Sequence, residues 1–156
     1  MFRKMRRFNQ QLPEAECIEI LKKEPRGVLA VLGDEGYPYA VPVNHLYRDG
    51  KLYIHGAKEG HKFDAVRGYE KASFCVIDQG EKAEGDWALW FKSVICFGRI
   101  RIMEDQDEIV AMSRELCAKF PATPEEIEGM VHRSGARVGG LELTIEHMTG
   151  KRVHEK

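Results

Sequence analysis

Gly60, His61 and Lys62 stand side by side at a strand-to-helix corner, in the run IHGAKEGHKFDAV. A glycine lets a ligand approach the backbone closely. The first turn of a helix presents unpaired N–H groups and the positive end of its dipole. Lys62 adds a full charge and His61 a second donor. Such a set suits an oxyanion, above all a phosphate ester. It equally suits a solvated helix start, and the spacing leaves both readings open. His55, followed by Gly56 and Ala57, ends the preceding strand. Its imidazole could exchange protons near neutral pH, or simply bond a neighbouring backbone group. His45, in VPVNHLY, shares both readings. Trp87, Trp90 and Phe91 follow a polar loop and offer flat apolar surface to a planar ligand, to the core or to a subunit interface. Ser93, just beyond, offers a hydroxyl. His132, His147 and His154 have no such setting, and the last falls in a tail expected to be mobile.

Other chemistries find no support. Cys17, Cys75, Cys96 and Cys117 form no CxxC pair and no zinc-type spacing, which predicts reduced, mostly buried thiols and no metal site. There is no HExxH, GxSxG or GxxxxGK[ST]. With 24 basic and 25 acidic side chains the net charge is −1, which argues against a nucleic-acid binder. No apolar run approaches the roughly 20 residues that span a bilayer. The basic opening MFRKMRRFNQ has no apolar segment behind it, so it does not read as a secretory signal. The expectation is a cytoplasmic protein that forms one domain over residues 1–156.

The elements that must position these residues follow from pattern. Pro13, Glu14 and Glu16 open a helix whose apolar spacing runs to Pro25. GVLAVLG reads as a buried strand. YPYAVPVNHLY reads as a second strand, with Pro38 and Pro42 marking an edge or an interruption. Arg48-Asp49-Gly50 is a hairpin signal before KLYIHG. A short helix over about 61–68 precedes the strand KASFCVID. WALWFKSVICFGRIRIME is a long strand with a bend at Lys92-Ser93 or at Gly98. Two helices follow, the second with a capping box at Thr123 and Glu126. Leu141, Leu143 and Ile145 alternate with polar residues in a last strand. Six strands with helices at the side predict a mostly β protein, an antiparallel barrel whose closure removes exposed edges. A ligand would then sit on the barrel's outer surface or between subunits.

Five segments in order, YPYAVPVN, KLYIHGA, GHKFDAV, KASFCVID and WFKSVICFGRIRIMED, resemble the flavin-binding split barrels related to pyridoxamine 5′-phosphate oxidase. Within that superfamily they are most similar to the 5-nitroimidazole resistance (nitroreductase-like) family. The opening MFRKMRRFNQQL and the ending LTIEHMTGK share the likeness. The resemblance implies a six-stranded antiparallel split β-barrel with peripheral helices, and a homodimer with FMN in clefts between subunits. By position, Val41, Pro42, Val43 and Asn44 would run along the flavin ring. His55, Gly56 and Ala57 would line the ring or the ribityl chain, and Gly60, His61 and Lys62 would hold the phosphate. Ser93 and Val94 would approach the flavin, and Trp90 would reach across from the second subunit. His55, or else His45, would serve the reduction of a nitro group or another small organic acceptor. Three alternatives stand beside this. The first is the pyridoxamine 5′-phosphate oxidase reaction itself, using Arg133, Arg137 and Arg152 as a second phosphate site. The second is a non-catalytic flavin or haem carrier ligated through His132 or His147. The third is a small barrel that binds an anionic metabolite.

Overall fold

A computed structural model describes residues 1–156. Its helices are α1 (Glu14–Lys23), α2 (His61–Gly68), α3 (Gln106–Cys117) and α4 (Pro124–Ser134). Its strands are β1 (Arg26–Leu32), β2 (Pro38–Asn44), β3 (Leu46–Arg48), β4 (Lys51–Ala57), β5 (Lys71–Ile77), β6 (Glu81–Lys82), β7 (Leu89–Ile102) and β8 (Val138–His154). All pair antiparallel in one curled sheet of order β2-β1-β5-β7-β8-β4-β3, with β6 added to β7. The sheet therefore has eight strands rather than the expected six. YPYAVPVNHLY breaks at His45 into β2 and β3, and the polar loop after β5 contributes the two-residue β6.

The curl follows from alternation. Leu29, Val31, Phe74, Val76, Val94, Cys96, Leu52, Ile54, Leu141 and Leu143 all point inward and form one buried core. Cys17, Ile20 and Leu21 of α1, and Phe63 and Val66 of α2, add to it. A second cluster lies on the outer side of β4, where Tyr53 packs with Met103 and with Ile109, Met112 and Leu116 of α3. The two faces of β4 thus serve different cores, which decides where His55 points. β7 and β8 pair along most of their length, with a bulge between Phe97 and Gly98; of the two expected bends, the one at Gly98 is the one that forms. The capping box at Thr123 and Glu126 is formed in both directions. All four cysteines are free thiols, and all but Cys75 are buried. No helix is long and apolar enough to cross a membrane.

His45 lies in the core, away from the surface. It is fully buried, its Nε2–H donates to the Leu21 carbonyl at 2.8 Å, and its ring meets Phe74 edge-on at 5.0 Å. Nδ1 has no partner. Burial above all, then the charge of Lys119, lowers its pKa to about 4. The unfolded chain would protonate this ring near 6.5, so between 6.5 and 4 it holds more protons than the native state, and stability falls as pH falls. The full effect is about 3 kcal/mol. Chemical denaturation at pH 7 and at pH 4 should show a loss of this size, reduced in His45→Gln. A loss of equal size in the variant would contradict the assignment.

Candidate functional site

β2 bonds only to β1, so its other edge is free. Tyr39, Val41 and Val43 point into the core, while Pro42 is exposed on an edge strand that tolerates proline. β4 pairs with β3 only from Lys51 to Tyr53, so that Ile54 to Ala57 is also an open edge on that side. The barrel is therefore split between β2 and the second half of β4. The first turn of α2 spans this split.

Gly60 precedes α2 with φ of +111°, and no side chain caps the helix. The His61 ring stacks on Tyr39 of β2, centroids 4.0 Å apart. Its Nε2 accepts from the Asp34 amide at 3.2 Å. The ring proton is then on Nδ1, which is the nitrogen left to donate. Lys62 reaches the other wall: its Nζ lies 3.0 Å from where a β-carbon on Gly56 would be. No ion pair of the structure includes Lys62. An uncapped helix start, a lysine without a carboxylate and a glycine whose missing side chain leaves room for that lysine make a cradle for an anion. Gly56, Gly60, His61 and Lys62 meet here, with Tyr39 of β2 against His61; Val41 to Asn44 continue β2 beyond Tyr39.

The other named residues lie elsewhere. The His55 side chain is on the face of β4 that carries Tyr53, not on the face of Ile54. It lines a cavity against α3 and α4. Burial first, and the Lys62 charge second, lower its pKa, so the ring is neutral at pH 7. Trp90, Ser93 and Val94 are on β7, two strands from β4's edge and three from β2 in sheet order. The Val94 side chain is buried in the barrel core. Ser93 is half-buried on the outer face. Trp90 has the His154 ring stacked on it at 4.3 Å and the Arg152 guanidinium 4.6 Å from its centroid. His154 is thus no mobile tail: it ends β8, pairs with Trp90 and bonds Asp86 at 3.0 Å. Lys156 and the Ala88 amide, with His154, hold the Asp86 carboxyl down at about 2. Trp87 is exposed. Sequence reading missed Asp34 and Tyr39, which hold His61, because neither carries a motif; it also missed Ser113, considered below.

The comparisons agree with this architecture. The profile of the family described as pyridoxamine 5′-phosphate oxidase matches residues 13–152. The chain is similar to the crystal structure of a candidate 5-nitroimidazole antibiotic resistance protein from Bacteroides thetaiotaomicron, with TM-score 0.74 and 18% identity over 92% of this chain and 87% of that one. A conserved hypothetical protein from Mycobacterium tuberculosis superposes with TM-score 0.79 at 18% identity, covering 95% and 90% of the two chains. An FAD-binding protein from Mesorhizobium loti gives TM-score 0.68 at 22% identity over 92% and 97%. Among curated proteins none matches.

Proposed function

The chain belongs to the pyridoxamine 5′-phosphate oxidase family, and from that premise we propose that it is an FMN-dependent oxidoreductase that reduces a nitro group or another small organic acceptor. The observation that carries this is the anion cradle where α2 spans the split. Lys62, the first-turn amides of α2 and Nδ1 of His61 would hold the phosphate. The open edge of β2, Val41 to Asn44, supplies backbone groups for the polar rim of a planar ring, with Pro42 withholding one donor. Gly56 and Ala57 keep the wall between phosphate and ring free of bulky side chains, and Gly56 leaves room for Lys62. The Bacteroides and Mesorhizobium proteins, by what is said of each, favour a nitroimidazole-type acceptor and a flavin respectively. A bound flavin supplies electron transfer between a reduced donor and an organic acceptor.

A homodimer completes the reading. The outer face of β1, β5 and β7 exposes Val28, Leu32, Ile77, Ile95 and Phe97, an apolar surface on the same face as Ser93. A second copy laid on it would bring Ser93 and Trp90 to the split of the first.

His55 is the proposed proton donor; its ring opens into the cavity behind β4, so its proton would reach the acceptor through water. Its pKa lies below 6.5, so the acid form appears only below that pH. The reduction rate at saturating electron donor is expected to rise as pH falls below 6.5. His55→Ala should remove that limb and lower the acid-side rate about tenfold or more, with FMN still bound. An unchanged pH profile in the variant would remove His55 from the reaction.

The oxidase reaction itself is disfavoured. Arg133 and Arg137 lie before β8 and Arg152 near its far end, with Arg152 engaged on Trp90, so the three do not converge in one chain. For haem, His132 is exposed on α4 and the His147 ring stacks on Phe2 at 4.4 Å; neither offers a buried axial nitrogen.

A further inference from the structure

On the face of β4 away from the barrel core, α3 and α4 leave a cavity of about 120 Å³. Val110, Cys117, Met130 and Val138 give it apolar walls, and no Asp, Glu, Lys or Arg lines it. Of the three polar side chains that line it, Ser134 is exposed and two are not. One is Ser113, in the middle of α3: it is only 7% exposed, and its Oγ is buried without a hydrogen-bond partner. A buried hydroxyl left unsatisfied is costly and rare. The other is His55, whose ring makes none of the side-chain hydrogen bonds of the structure. The Cys117 thiol is pushed up by burial and stays uncharged. Met130, 41% exposed, stands at the mouth, where a flexible thioether can move aside.

We propose that this cavity binds a small uncharged monocyclic ring bearing one hydrogen-bonding substituent, which Ser113 and His55 engage. Size sets the ring: an apolar cavity of about 150 Å³ takes up benzene, so one of about 120 Å³ is sized for no more than a single five- or six-membered ring and excludes a fused pair. The apolar walls without any charged side chain exclude an ion. The orphan Ser113 hydroxyl selects for a polar substituent over a bare hydrocarbon. This goes beyond the flavin reading. It shares only His55 with it and needs no cofactor.

The test is a titration of the full chain, labelled at its methionine methyls, with phenol, benzene and 1-naphthol, followed by NMR. Phenol is expected to shift the Met130 methyl saturably. Benzene should bind about tenfold more weakly, the worth of one neutral hydrogen bond, and 1-naphthol not at all. Val110→Phe, which fills the cavity, should abolish the phenol shift and leave FMN affinity unchanged. Ser113→Ala, which removes one oxygen, should bring phenol down to the affinity of benzene. The proposal is overturned if phenol gives no saturable shift at Met130, which would mark a water-filled void only. It is also overturned if the shift survives Val110→Phe, or if Ser113→Ala binds phenol as the parent does; the serine variant decides the matter should the phenylalanine variant not fold. FMN titrated separately reads the flavin proposal, so either can fail alone.

Discussion

Lys62→Ala is expected to weaken FMN binding about 10- to 100-fold while leaving the fold intact. A hydrogen bond to a charged group contributes about 1.5–3 kcal/mol, and Lys62 puts a full positive charge at the start of α2. Its amine has no carboxylate to lose, so its removal strands no partner, and its half-buried side chain contributes little core. Riboflavin supplies the control, since it carries the ring without the phosphate. The parent should bind riboflavin about as weakly as Lys62→Ala binds FMN, and the substitution should hardly change riboflavin affinity. In a double cycle the two losses then do not add. Flavin fluorescence quenching measures all four affinities. Losses that add in full would show that the amine and the phosphate do not meet.

Gly98→Ala is expected to destabilise the chain by about 3 kcal/mol or more, beyond what most single substitutions do. Gly98 follows the bulge between β7 and β8. A β-carbon there would overlap the Thr144 carbonyl oxygen and crowd the Thr144 and Ile145 backbone. Backbone in a paired strand cannot step aside as a flexible side chain can. The strain would fall on the longest strand pair, which joins the β1-β5 side of the barrel to the β4 side. For a chain of this size each kcal/mol moves the midpoint about 2–4 °C, so thermal unfolding should begin roughly 10 °C earlier. Gly68→Ala is the control. Gly68 ends α2 with nothing near its missing β-carbon, and alanine there should leave the midpoint within about 3 °C. Equal midpoints for both variants would mean that the bulge relaxes more readily than this packing allows.

What the sequence made legible was local. Thr123-Pro-Glu-Glu announces its own capping box, and Gly60-His61-Lys62 its own helix start, because the partners lie within three residues. Alternation in LELTI placed Leu141 and Leu143 inward. What stayed hidden depended on partners far along the chain. His45 reads as one more strand residue until the Leu21 carbonyl, 24 positions earlier, accepts its Nε2–H; that bond is where one expected strand becomes β2 and β3. His55 sits in the motif of a flavin ligand, yet strand alternation turns its ring toward α3 and α4. β6, at two residues, carries no periodic signal at all. Trp90 and Ser93 are assigned to the flavin by the resemblance alone; in this chain they lie on β7, three strands from β2 in sheet order.

The most direct test of the account is a crystal structure of the chain with FMN. The account predicts the phosphate within hydrogen-bond distance of Lys62 Nζ and the first amides of α2, with the ring alongside Val41 to Asn44. A phosphate seated away from Lys62, or a ring that makes no contact with β2, would contradict it.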